Sequence, residues 1–131
     1  METLSAKIDT RLYRTEITSA SGNIVIADEP QEMGGKNLGF SPSELLASSL
    51  ASCTLITLRM YINRKQWNVS EIDIKVDFER DSDQKVSLFI RKIEITGEID
   101  DAQKQRLETI ANSCPIHKTL TNSIEIKTTL I

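Results

Sequence analysis

The stretch 41-SPSELLASSLASCTLITLRMY-61 carries one acidic and one basic side chain, Glu44 and Arg59, and is otherwise apolar, small or hydroxylated. Ser41 can cap the first free amides, Pro42 suits the first helical turn, and Glu44 completes a Ser-x-x-Glu capping box. Alanines and leucines carry the helix through Met60 or beyond, with Asn63, Arg64 and Lys65 suited to its C-terminal end. From Leu45 to Leu58 small and apolar residues fall on every side. Such a helix is expected to be enclosed all round, by its own sheet or by a second subunit. Cys53 sits near its middle, either a packing residue or a reacting one.

Working outward, 28-DEPQEMGGKNLGF-40 reads as a loop, where paired glycines permit a tight or mobile backbone. Before it, Leu4, Ala6 and Ile8 alternate, and 24-IVIA-27 follows the turn signal 21-SGN-23, so this region is read as strand. After the helix, 71-EIDIKVDFE-79 alternates cleanly, as a half-buried antiparallel strand does. Its expected partner is 86-VSLFIRKIEITGEI-99, across the turn 80-RDSDQ-84. The alternation slips at Arg91-Lys92, which predicts a bulge. Asp100 or Asp101 caps a second helix with Leu107, Ile110 and Ala111 on its inner side; Cys114-Pro115 interrupts it, and 123-SIEIKTTLI-131 reads as a closing strand. The order β-β-α-β-β-α-β with antiparallel hairpins is an α+β domain, expected to span residues 1–131 as one unit.

Hydrophobic residues make up 39% of the chain and charged residues 27%, a globular composition. A net charge of −3 with scattered basic residues argues against a nucleic-acid partner, which demands clustered Lys and Arg. The first residues show no apolar export core, and the run around Cys53 reads as shorter than a membrane span once its serines and threonines are counted. A cytoplasmic protein without membrane contact is expected. In that compartment two cysteines do not form a structural staple; they are inert or chemically employed.

Pro115 disfavours helix at the residue before it and suits the first turn after it, so Cys114 is placed as the cap of a short helix over 115–121. A sulfur there feels the positive end of the helix dipole, which lowers a thiol pKa. Cys114-x-x-His117 with Cys53 offers three metal ligands but only one histidine, short of a closed zinc set, so no metal is expected. A Cys–His hydrolase lacks any oxyanion signature. His117 is read as a partly exposed helix residue.

Two motifs together resemble a known family. The stretch 41-SPSELLASSLASCT-54 is similar to the helix of the OsmC/Ohr family of osmotically induced and organic-hydroperoxide-resistance proteins. There a small-residue helix opens with a proline and presents a cysteine after about three turns. The stretch 111-ANSCPIHKTL-120 resembles that family's second cysteine motif, and the Gly-Gly loop and element order also match. The resemblance implies an OsmC-like fold, an antiparallel sheet with a long buried central helix, in an intertwined homodimer with sites at the interface. It implies Cys53 as the peroxidatic residue reducing organic hydroperoxides and Cys114 as the resolving one. An external dithiol, of dihydrolipoyl type or carried as a lipoylated protein, would regenerate the pair without a resident cofactor. Burial raises the pKa of a mid-helix thiol, so a cation must offset it; the family supplies an arginine from the first hairpin, here Arg14, with Arg11 as the other choice. The family's glutamate after the helix-opening proline is Ser43 here. Glu44 comes one residue later and is explained by capping, though it could reach a site through a partner subunit. Leu46, Leu50, Met33 and Phe40 would give the site an apolar lining. Two other readings remain: a non-catalytic module holding a small apolar ligand at the interface, and a redox sensor or thiol relay.

Overall fold

The computed structural model describes residues 1–81, 83 and 85–131. Its elements run β1 (Leu4–Ile8), β2 (Thr15–Ser19), β3 (Ile24–Ala27), a 3₁₀ turn (Gln31–Met33), α1 (Pro42–Lys65), β4 (Val69–Asp81), β5 (Val86–Gly97), α2 (Asp101–Ala111) and α3 (Pro115–Leu120). They group into two compact units, Met1–Ala47 and Ser48–Ile131. This is an α+β protein with antiparallel sheets and a long helix.

In the first unit β1, β2 and β3 form an antiparallel sheet in that order, with Ala6 opposite Ile17 and Ile17 opposite Val25. The middle strand, 15-TEITS-19, escapes the alternation test because Ile17 is its only large apolar residue. Its backbone is paired on both edges, which supplies the order its side chains do not. The following loop is wound around Asp28, a buried carboxylate accepting hydrogen bonds from the backbone N–H groups of Tyr13, Glu29, Lys36 and Leu38 at 2.8–3.3 Å. The glycine pair serves that winding. Gly34 sits at φ +91°, and a side chain at Gly35 would strike the Glu29 carbonyl and the Asp28 carboxylate. Ser41 and Glu44 form the expected capping box: Ser41 N–H donates to Glu44 Oε1 at 3.0 Å and Glu44 N–H to Ser41 Oγ at 3.2 Å.

In the second unit β4 and β5 pair antiparallel, and the inward ladder is Ile72–Ile95, Ile74–Ile93, Val76–Arg91 and Phe78–Phe89. The two phenyl rings stack with centroids 4.5 Å apart. The bulge expected at Arg91-Lys92 is absent. Pairing is continuous there, and the irregularity lies between Val69 and Glu71. Arg91 takes the inward position that an apolar residue would fill, so the strand keeps its period with a cation on the core face. The turn expected over 80-RDSDQ-84 lies partly outside the described residues; Arg80 and Asp81 belong to β4.

One stripe of α1, formed by Leu50, Thr54, Leu58, Tyr61 and Ile62, is buried. Leu58, Tyr61 and Ile62 pack with Val69, Leu107 and Ala111, flanked by Trp67, Ile72, Ile93, Ile95, Ile99 and Ile110. Fully burying a leucine or isoleucine such as Leu58 or Ile62 contributes about 1.5–3 kcal/mol. The helix is not enclosed all round within one chain, because Ile56 and Met60 stand 54% and 68% exposed. Contrary to the sequence expectation, its 24 residues are long and apolar enough to cross a membrane. Its buried stripe supplies part of the core of this unit, and 28% of the apolar stretch is buried. Asp100 caps α2, accepting from Gln103 N–H at 2.7 Å while its own N–H donates to Gln103 Oε1 at 2.8 Å.

The closing strand expected over residues 123–131 does not form. Among the described residues no strand edge pairs with it, and Ile124 and Ile126 lie exposed, so alternation alone does not hold its backbone.

A candidate dithiol site in the second unit

Cys53 projects from the middle of α1, half-buried, and Cys114 occupies the N-cap of α3, fully buried. Pro115 starts α3 as the sequence predicts, and His117 N–H donates to Cys114 Sγ at 3.4 Å. The two thiols lie close enough to shift each other's pKa. Two turns of different helices, sixty-one residues apart in the chain, thus bring both sulfurs to one place.

The two sulfurs differ in their surroundings. Burial pushes the Cys53 thiol above its ordinary pKa, and the hydrogen bond with Cys114 pushes the same way; the Ile116 N–H and the Thr57 hydroxyl offset this only in part. Burial also opposes ionisation of Cys114. There it is outweighed by hydrogen bonds from the Cys53 thiol, from the N–H groups of His117 and Ile116, and from the Thr54 hydroxyl, so the pKa is lowered. Of this coupled pair, Cys114 is the preferred thiolate and Cys53 the thiol that donates to it.

A guanidinium stands beside the pair, and it is that of Arg91. Its Nη1 donates to Thr54 Oγ1 and to the Ala111 carbonyl, both at 3.0 Å. Its Nη2 donates to Asn112 Oδ1 at 3.0 Å and meets His117 Nδ1 at 2.8 Å. Arginine only donates, so His117 Nδ1 accepts and the imidazole is neutral, with its proton on Nε2. Burial, and then the Arg91 charge, holds His117 below its ordinary pKa. Among the described residues no carboxylate forms an ion pair with Arg91.

The other residues singled out in the sequence lie in the first unit. Arg14 is half-buried there and pairs with Glu16 at 3.8 Å. Arg11 is exposed and tied to Asp9 at 2.8 Å, its hydrogen bonds drawing that carboxyl down to about 2. Ser43 is exposed in the first turn of α1, and Glu44 is engaged in the capping box. Of the apolar lining, Met33, Phe40 and Leu46 are exposed in the first unit, whereas Leu50 is buried in the second. Arg91, Thr54 and Asn112 were not singled out. The slip in alternation at Arg91 was the signal, since a charge on the inward face of a strand needs partners there. Among the described residues no group of three or more His, Cys, Asp or Glu is arranged to hold a metal ion.

The profile of the OsmC-like protein family matches residues 34–129, and the chain belongs to that family. Solved structures agree. A candidate osmotic stress induced and detoxification response protein from Psychrobacter arcticus 273-4 is 28% identical, with a TM-score of 0.79 over 91% of this chain and 88% of that one. An OsmC-like protein from Mycoplasma pneumoniae is 20% identical, with a TM-score of 0.78 over 92% and 87%. The organic hydroperoxide resistance protein OhrB of Bacillus subtilis is also 20% identical, with a TM-score of 0.63 over 97% and 95%. No curated protein matches the chain.

Proposed function

We propose that the protein reduces organic hydroperoxides with the Cys53–Cys114 pair, as a cytoplasmic homodimer recycled by an external dithiol and without a resident cofactor. The observation that carries this reading is that two cysteines, one in mid-helix and one at a helix cap, lie close enough to shift each other's pKa. Access supports these roles. Cys53 is half-buried and the more accessible of the two, whereas Cys114 is fully buried.

In the monoanionic pair the proton moves from Cys53 to Cys114, and the Cys53 thiolate attacks the distal peroxide oxygen. The O–O bond breaks, Cys53 becomes sulfenic acid, and the alkoxide takes the proton from Cys114 and leaves as alcohol. The Cys114 thiolate then attacks the Cys53 sulfur, forming the disulfide and expelling hydroxide, which takes a proton from the bulk buffer and leaves as water. A dithiol of dihydrolipoyl type, free or carried on a lipoylated protein, returns two electrons and two protons and leaves as its cyclic disulfide. Arg14, Arg11, Ser43 and Glu44 enter as supporting groups if the partner subunit brings the first unit to this site.

The test uses cumene hydroperoxide with excess dithiothreitol. Turnover that disappears in Cys53→Ser is the expected result. A rate no higher than buffer for the unaltered protein would sink the enzyme and leave a module that binds a small apolar ligand.

A further inference from the structure

Arg91 is an arginine where the β4–β5 ladder otherwise places Ile72, Ile74, Ile93, Ile95, Val76 and the two phenylalanines. A half-buried guanidinium with no ion-pair partner among the described residues is costly to desolvate, so its presence there calls for a function that an aliphatic residue cannot perform. Its four hydrogen bonds define that function. Thr54 is the residue after Cys53; Ala111 and Asn112 lie three and two residues before Cys114, and His117 lies three after it. One planar fork thereby touches the segments on both sides of Cys114 and the helical turn that carries Cys53. One of the segments it holds reaches the sulfur itself: His117 N–H donates to Cys114 Sγ at 3.4 Å.

We propose that Arg91 is the positioning residue of the thiol pair, fixing α1, the end of α2 and the start of α3 so that Cys114 Sγ faces Cys53 Sγ with its donors aligned. This rests on the dithiol reading given above and adds to it the group that sets the geometry. Arg91 touches neither sulfur by a hydrogen bond and acts through Thr54, Asn112 and His117. The groups facing Cys114 are the Cys53 thiol and Thr54 hydroxyl from α1 and His117 from α3, with Arg91 behind them on β5. Glu108 of α2 shares with Arg91 a cavity of about 270 Å³, lined also by Leu58, Ile93, Ile95 and Leu107, and forms no ion pair with it. Lysine cannot replace this arginine, because one ammonium cannot present two parallel edges to four acceptors.

The experiment needs no peroxide. The full chain is equilibrated with mixtures of reduced and oxidised dithiothreitol, and the ratio at half-oxidation of the Cys53–Cys114 disulfide is read, with the melting temperature of the reduced protein as the control. Arg91→Met and Arg91→Lys are expected to form the disulfide about tenfold less readily, the scale of loss that follows misplacement of reacting groups. His117→Phe, which removes the acceptor, is expected to show the same loss, and His117→Asn, whose amide oxygen takes the place of Nδ1, to restore the unaltered ratio. Should Arg91→Met fold cooperatively and reach half-oxidation at the unaltered ratio, the proposal fails. It fails equally if His117→Asn is as deficient as His117→Phe, and that pair decides the matter if Arg91→Met does not fold. Failure of peroxide turnover in the unaltered protein would overturn the proposed enzyme and leave this equilibrium as measured.

Discussion

His117 is bound to Arg91 as a neutral acceptor, and protonation would set two cations face to face. Its folded pKa is depressed, so the unfolded chain takes up the proton first. The stability of the folded state is therefore expected to fall as pH drops below the ordinary value of 6.5 towards the lowered one. Urea denaturation across that window checks this, and in His117→Asn the slope should flatten. Thr54 is fully buried, and its oxygen accepts from Arg91 while its hydrogen serves Leu50 O at 2.7 Å. Replacing it by valine keeps the shape and strands an Arg91 donor, at an expected cost of about 1–3 kcal/mol in the same assay. At this scale the two cysteines were legible because proline punctuation and helix composition are local signals. Arg91 was not, because its partners lie 20 to 37 residues away and no local pattern names them.

Among the elements, the loop from Asp28 to Leu38 depends on one carboxylate for four backbone donors. Asp28→Asn exchanges one acceptor oxygen for an amide that cannot accept. A loss of about 1–3 kcal/mol in thermal or urea unfolding is expected. Those donors hold the Asp28 carboxyl below its ordinary value of 3.8 although burial opposes them, so this contribution is present above that value and is lost on acidification below it. The long helix, the β4–β5 hairpin and α2 with its Asp100 cap could be read from sequence, since each has a strong period or a capping signature. The failures share a cause. β2 is held by neighbours on both sides rather than by its own pattern, and residues 123–131 have the pattern but no neighbour. At Arg91 the slip marked a buried charge instead of a bulge.

For the whole molecule, the second unit rests on the cluster around Leu58, which is fully buried between α1, β4, β5 and α2. Leu58→Ala is expected to cost about 2–5 kcal/mol, read as a lower midpoint of urea unfolding. The face of α1 bearing Ile56 and Met60 is uncovered within one chain, and the proposed homodimer is expected to bury it. Sedimentation over a range of concentrations should give twice the chain mass, and a species that stays at single-chain mass throughout would contradict it. The resemblance carried by the two cysteine motifs extended to the fold because those motifs sit on the elements that build it, α1 and the α2–α3 junction.

Thr54 also has one hydroxyl hydrogen and two claimants for it, the Leu50 carbonyl and the ionised sulfur of Cys114. Its orientation is therefore expected to follow the charge on that sulfur. With Cys114 anionic the hydroxyl is expected to turn towards it and release the carbonyl one turn back in α1, and in the disulfide to return to the Leu50 carbonyl. An isotope label on the Leu50 carbonyl should make that swing visible as a displaced infrared band between the reduced and oxidised protein, a gauge of redox state built into the backbone of the helix.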